Sequence, residues 1–336
     1  MSLAQQLQDA WNRQAGWLKL LRPLSCLYRM GFLLNKQCYR WRLKTSYRAP
    51  IPVMVIGNIT VGGSGKTPLL IQLVKYLQHH QVRVAVISRG YGGKGPFPAR
   101  VTLDSDPQEV GDEPCLIVQS TDVAMAVGPN RQASIELLLA EDQFDLIICD
   151  DGLQHWALER EVEWIVLDQQ RGLGNAKLLP EGFLREPASR LQEGTVIEHA
   201  MRPSIDLNMH LQVGRPYLLN SIDGQQEIFQ ANEYYNAVVG IGYPQRFYNT
   251  LTSIGVTQFH CYEFKDHHEY DIEDICFDDQ SPIITTEKDA VKLLPLLKQY
   301  PDYQRQIWVV PVDAVLSDAC YQQLRQQLAA LNITFI

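Results

Sequence analysis

Along the chain, short apolar runs alternate with longer stretches whose apolar residues recur at helical spacing. The run at 51–56 precedes a glycine-rich stretch at 57–67 and a helix-spaced segment at 68–77. Further strands are expected at 82–87, 99–103, 123–127, 144–150 and 163–167, with helices over 115–118 and 129–139. Residues 200–234 turn polar and irregular, with Arg202-Pro203, Gly214-Arg215-Pro216 and Asp223-Gly224. Alternation then resumes, with strands at 236–241, 257–264, 282–285 and 306–312 and helices at 244–254, 288–297 and 318–331. Strands interleaved with helices predict an α/β protein with parallel sheets. The expected organisation is an arm at 1–48, a core domain at 49–200, a linker with short β structure at 201–235 and a smaller α/β domain at 236–336.

The arm has a different pattern. Trp17, Leu20, Leu21, Leu24, Leu27 and Tyr28 recur at helical spacing with Lys19, Arg22 and Arg29 between them. A helix over 17–34 would rise about 27 Å, barely the hydrocarbon thickness. It would carry three cations at about 2.5–3.5 kcal/mol each near the bilayer centre, and Pro23 would interrupt it. An amphipathic helix lying in a membrane interface fits better; a helix packed on the protein's own core is the competing reading. Charge sharpens the contrast. The net charge is −8, which argues against a nucleic-acid surface, yet residues 1–50 hold nine basic residues and one acid. Seven cysteines without a C-x-x-C pair argue against a disulfide framework and fit a reducing compartment. No signal-peptide pattern opens the chain, so a cytoplasm-facing protein is expected.

Candidate chemistry begins at 57–67. Strand, glycine loop, Gly65-Lys66-Thr67 and helix form the layout of a P-loop. Gly62, Gly63, Ser64 and Gly65 would turn backbone N–H groups toward phosphate. Lys66 would reach the β/γ phosphates and the Thr67 hydroxyl would hold Mg²⁺. Thr60 stands where the strict pattern has glycine, so the loop is one of the looser variants. The apolar strand ending at Asp150-Asp151-Gly152 has the Walker B arrangement, which delivers a carboxylate to Mg²⁺. Gln154 and His155 continue that loop toward nucleotide or acceptor. Arg89 and Tyr91 lie in a glycine-rich loop just after a strand, on the ligand side of an open sheet.

Other acids and bases are less defined by pattern alone. Asp112 precedes a short helical run and can act merely as its cap, so spacing assigns it no catalytic role. Arg185 and Glu186 suit a transferring phosphoryl group and Mg²⁺, and equally a surface ion pair. Asp266-His267-His268 follows a strand; adjacent histidines do not make a helical metal pair, but one could work with a carboxylate in proton transfer. Thr286-Glu287-Lys288-Asp289 lacks the lysine that guanine recognition requires, which weakens a GTPase reading. A small-molecule kinase and a membrane-recruited ATPase switch remain.

Taken in order, these stretches resemble the tetraacyldisaccharide 4′-kinases of lipid A synthesis. The resemblance rests on Gly57-Asn58 with 62–68, Ser88 to Gly93, Gly111 to Pro114, Asp150 to His155 and Leu184 to Pro187. It continues through Gly240 to Pro244 with Arg246-Phe247, Asp266 to His268 and Thr285 to Ala290. Tyr243 departs from it, standing where a smaller polar residue is expected. The resemblance implies a P-loop NTPase-like core, a smaller α/β domain and an N-terminal helix on the inner membrane. It implies transfer of the ATP γ-phosphoryl to the 4′-hydroxyl of an acylated glucosamine disaccharide 1-phosphate. It also implies Asp112 as base paired with His267, and Asp150, Asp151 and Glu186 around Mg²⁺.

Overall fold

The computed structural model describes residues 3–203, 206–220 and 228–335. The first eight strands are β1 (Val53–Gly57), β2 (Val84–Ser88), β3 (Ala99–Val101), β4 (Ala124–Val127), β5 (Leu146–Asp150), β6 (Val162–Asp168), β7 (Thr195–His199) and β8 (Asn208–Val213). A second sheet holds β9 (Tyr217–Leu218), β10 (Tyr235–Val239), β11 (Phe259–Glu263), β12 (Ile283–Thr286) and β13 (Ile307–Val310). The last strand, β14 (Val312–Leu316), returns to the first sheet, whose order is β14-β8-β7-β6-β1-β5-β2-β4-β3. Only the edge pairings there, β3 with β4 and β14 with β8, are antiparallel. The helices are α1 (Leu3–Asn12), α2 (Arg22–Arg40), α3 (Lys66–His79), α4 (Pro107–Val110), α5 (Asp112–Thr121), α6 (Arg131–Glu141), α7 (Pro244–Ser253), α8 (Glu287–Gln299) and α9 (Asp318–Ala329).

The expected α/β class with a large parallel sheet is what forms. Central strands are buried on both faces, as a helix-covered parallel sheet requires; β1, β2 and β5 are buried throughout. Period-two alternation sends Met54, Ile56, Val86 and Ile148 to one face, against Leu70, Leu73 and Leu77 of α3 and Leu324 and Leu328 of α9. Val55, Ala85, Ile87 and Ile147 go to the other, against Ile135 and Leu138 of α6. The smaller sheet buries Tyr235, Ala237 and Val239 under Phe247 and Leu251 of α7, and Val238 and Ile283 under Leu293 and Leu296 of α8.

Three expectations are corrected. The apolar run at 306–312 is two strands in two sheets, parted at Pro311, which has no N–H to continue a ladder. Its carbonyl instead accepts from the Gly214 N–H at 2.9 Å. The C-terminal part of the 236–336 segment, β14 and α9, therefore packs on the larger sheet. The 201–235 segment is less a linker than expected: β8 completes the larger sheet and β9 edges the smaller one.

In the arm, α1, a 3-10 turn at Gly16–Leu21 and α2 replace a single helix. Pro23 falls in the first turn of α2, where its missing N–H has no intrahelical partner to lose. The side of α2 that meets the protein joins ring contacts, of Phe32 with Trp156 and of Tyr28 with the Leu178–Leu184 cluster, to several polar bonds. Ser25 Oγ donates to the Leu178 carbonyl and accepts from Glu181 N–H, Tyr28 Oη donates to the Arg185 carbonyl, and Arg22 pairs with Glu181. Its outward side is apolar, with Leu24, Leu27, Met30, Leu33 and Leu34 exposed, and Leu20 of the preceding turn is exposed as well. Among the described residues, no helix is long and apolar enough to cross a membrane.

Truncating a buried α3 side chain opens a cavity between sheet and helix. Leu73→Ala, at a fully buried position, is expected to lower the urea-unfolding free energy by about 2–5 kcal/mol. Leu27→Ser, on the exposed face, should change it by no more than about 0.5 kcal/mol.

Candidate active site

The parallel strands of the larger sheet present their carboxyl ends along one edge, the ligand side of such sheets. The glycine loop leaves β1 there and enters α3 at Lys66, so the helix N-terminus and its unpaired N–H groups face the loop. Gly65 at the N-cap has φ 90° and Gly62 has φ 97°, conformations open to glycine. Ser64 is buried and its hydroxyl has no partner. Thr67 is half-buried in the first turn of α3.

Asn58, fully buried, ties this loop to the rest of the edge. Its Oδ1 accepts from Lys66 Nζ at 3.1 Å and from the Arg185 guanidinium; its Nδ2 donates to the Thr60 hydroxyl and the Gly62 carbonyl. Arg185 makes a two-pronged pair with Asp151, 2.9 Å on each arm, and donates through Nε to the Thr60 carbonyl. Lys66 reaches Asp151 at 3.5 Å. Burial opposes ionisation of Asp151, but Lys66 and Arg185 outweigh it and hold the carboxyl well below its usual range. The Arg185 guanidinium is thus spent on its neighbours rather than free in the cleft.

Asp150 is in the opposite condition. It ends β5 beside Ile56 of β1, wholly enclosed, with Oδ1 unpartnered and Oδ2 near the Ser88 hydroxyl at 3.4 Å. Burial, then the carboxylates of Glu113 and Asp151, push its pKa up to about 7. An orphaned buried carboxylate oxygen beside a second carboxylate suits a hard divalent cation. Among the described residues, no three His, Cys, Asp or Glu side chains converge as a closed metal cage. Glu186 sits deeper. It is fully buried, accepts from Gln154 Nε2 at 2.6 Å and lies 3.2 Å from Arg190 Nε.

The smaller sheet supplies the other wall. Gly111, with φ 100°, caps α5, so Asp112 opens the helix instead of preceding it. Asp112 is buried at 4% exposure, and the loop after β11 lays His267 against it. His267 Nδ1 is 2.9 and 3.0 Å from the two Asp112 oxygens. From the first turn of α8, Lys288 Nζ lies 3.7 Å from Asp112 and 3.1 Å from both Glu113 and Asp266. Burial works against the Asp112 charge, yet the His267 hydrogen bond and Lys288 pull its pKa down to about 2. The same hydrogen bond raises the His267 pKa against burial and Lys288. His268 turns away, 2.9 Å from Asp274 and stacked on Phe264.

The remaining candidates separate. Tyr91 meets the His267 ring edge-on at 5.1 Å, so its loop reaches the Asp112 pair. Arg89, nearby in sequence, is exposed. Gln154 bridges the Asn58 carbonyl and Glu186. His155 is held neutral, its pKa pulled down to about 4 by burial and by Arg131, Arg160 and Arg89. The sequence reading gave no role to Asn58 or Lys288, although both lie inside the stretches that carried the resemblance. Nothing in residue type or spacing marks either as a hub; both become hubs through long-range contact.

A family model described as tetraacyldisaccharide-1-P 4′-kinase matches residues 17–329. The tetraacyldisaccharide 4′-kinase of Psychrobacter cryohalolentis is 47% identical over 99% of this chain and 98% of its own length. That of Ectopseudomonas mendocina is 41% identical over 98% of this chain and 99% of its own. Among solved structures, LpxK from Aquifex aeolicus in complex with ATP superposes with a TM-score of 0.76 at 25% identity, covering 94% of this chain and 99% of that one. From the first glycine loop to the closing helix, the chain belongs to the tetraacyldisaccharide 4′-kinase family.

Proposed function

We propose that the cleft between the two sheets transfers the γ-phosphoryl of ATP to the 4′-hydroxyl of a tetraacyl glucosamine disaccharide 1-phosphate, the kinase step of lipid A synthesis, and that Asp112 is its base. The observation that carries the site assignment is the Asp112–His267 contact: an ionised carboxylate, oriented by an imidazole from the opposite wall, beside a P-loop. A sugar hydroxyl must lose its proton as its oxygen bonds to phosphorus, and a positioned carboxylate contributes about 10²–10⁴-fold to such a transfer. His267 fixes the carboxylate and stabilises its charge; Lys288 prevents Asp112, Glu113 and Asp266 from repelling one another.

On the donor side, the loop N–H groups of 62–66 and Lys66 cradle the phosphates. Thr67, Asp150 and Asp151 would hold Mg²⁺, with Glu186 behind them through Gln154. Bound there, the cation supplies charge neutralisation across the phosphates. Arg185 keeps Asp151 aimed and ionised. Arg89 and Tyr91 line the acceptor side. The larger sheet is read as the donor half, and the acceptor as lying between its Asp112, Arg89 and Tyr91 and the His267 loop of the smaller sheet.

The arm is read as a peripheral contact with the cytoplasmic face of the inner membrane. What supports this is the leucine-rich face that α2 turns to solvent while its opposite face docks on the protein, with Lys19 just before it and Arg29 and Arg40 within it. Such a helix buries its apolar side in the interface while its cations meet anionic headgroups.

With γ-labelled ATP and acceptor in detergent, label should appear in the lipid; label released only as free phosphate would identify an ATPase instead. Asp112→Ala should lower kcat by about 10²–10⁴-fold while ATP affinity survives, and normal turnover would remove Asp112 as base. Replacing Leu20, Leu24 and Leu27 together by Ser should release the protein from anionic vesicles with little change in Tm; retained binding would overturn the arm's role. The Asp112–His267 pair also sets a pH window. The depressed Asp112 pKa contributes stability above the unfolded 3.8, lost as pH falls toward 2. The raised His267 pKa contributes stability in full below 6.5, lost as pH rises through its folded value. Urea titrations should therefore find the cost of His267→Gln largest between about pH 4 and 6.5 and smaller by pH 9.

A further inference from the structure

Three cations border the glycine loop, and they are not equivalent. Lys66 and Arg185 both face Asp151. Arg171 has no side-chain ion pair: among the described residues its guanidinium makes one hydrogen bond, from NH1 to the Val61 carbonyl at 3.1 Å, and feels Asp168 only at longer range. Its remaining donors are unspent. The nearest acid in sequence, Asp168, is taken: Oδ2 pairs with Arg246 at 2.5 Å, and Oδ1 accepts the N–H groups of Gln170 and Arg171.

The placement of Arg171 is built from several sides. Asp168 ends β6 on the same sheet edge as the P-loop and closes the turn that carries Arg171. The guanidinium lies over the Phe183 ring, 5.0 Å from its centroid. At Gly62, a Cβ would come within 2.7 Å of Arg171 NH1, a side-chain end that can shift, so it is the φ of 97° that favours glycine there. At Gly63, the next residue, a Cβ would meet nothing within 4 Å. The guanidinium therefore adjoins the open crest of the loop. Burial lowers its pKa against the pull of Asp168, and a further anion would offset that cost.

We propose that Arg171 is a catalytic arginine supplied in cis, whose free N–H donors bind the γ-phosphoryl oxygens of ATP as charge builds during transfer. This rests on the kinase reading. In the step, the 4′-oxygen bonds to the γ-phosphorus and its proton passes to Asp112. The bond from that phosphorus to the β–γ bridging oxygen breaks, and ADP leaves with the electron pair. Arg171 exchanges no proton; it neutralises the equatorial and bridging oxygens, work that suits a planar fork of donors better than a point charge. The role differs from that of Arg185, whose donors are occupied before any nucleotide arrives.

The experiment uses the full-length protein, ATP and the tetraacyl disaccharide 1-phosphate in detergent. Arg171→Ala should lower kcat by about 10³-fold with the Kd for ATP changed only a few-fold, and millimolar guanidinium should restore part of the rate. If the Ala variant fails to fold, Arg171→Lys keeps the charge and the stem over Phe183; it should still lose about 10²-fold in kcat at retained ATP affinity. A kcat within a few-fold of the parent in either variant overturns the proposal. So does a loss confined to ATP affinity and Tm with no guanidinium rescue, which marks Arg171 as a loop anchor. If the parent enzyme itself labels no lipid, the kinase reading fails first and takes this inference with it.

Discussion

A carboxylate buried in one half of the molecule and neutralised by the other half is the interaction on which the rest depends. Asp112 opens α5 on the larger sheet, enclosed almost completely. Ionised and alone there it would cost several kcal/mol. His267 and Lys288, which offset that cost, come from the loop after β11 and from α8 of the smaller sheet. The charge of Asp112 is therefore stabilised only where the two halves meet. The opposite arrangement holds at Asp150, which has a buried oxygen without a partner and a carboxyl pushed up to about 7. One acid is satisfied by protein partners, and the other keeps an oxygen without one among the described residues.

How much of this could be read from the chain followed from locality. The P-loop, the Walker B strand and most helices are set by spacing within ten or so residues, and they stand close to where periodicity placed them. Asp112 was invisible to pattern because its neighbours in sequence give only a helix start; what defines it is 155 residues away in His267. The same holds for Asn58, an ordinary loop residue until Lys66, Arg185 and Gln154 converge on it. The continuous apolar run at 306–312 hid a change of sheet, because Val and Ile suit either sheet and only Pro311 marked the break.

The arm shows that amphipathicity alone does not tell which side of a helix meets the protein. Spacing gave a leucine face and a basic face; in the fold Leu20, Leu24 and Leu27 point outward, and the docking side mixes polar bonds with ring contacts of Tyr28 and Phe32. The docking site matters as well. Tyr28 and Ser25 hold the 178–187 loop, the loop that carries Arg185 and Glu186. The two readings of the arm, as outside surface and as part of the body, are thus opposite faces of one helix.

The return of β14 and α9 to the first sheet bears on how the chain is made. β14 covers the edge of β8, and α9 is tied to β6 through Trp164–Gln327 and to α3 through Gln72–Tyr321. During synthesis, the ladder begun at residue 53 stays unfinished until residue 316 has left the ribosome. The smaller sheet, by contrast, lies within one continuous stretch from β9 to β13 and can close earlier. Until the last strand arrives, β8 remains a bare edge of unpaired backbone groups, the kind of surface on which partly made chains associate. The final twenty-odd residues thus act as a seal on the nascent protein, and the pairing distance they span favours slow completion of the fold.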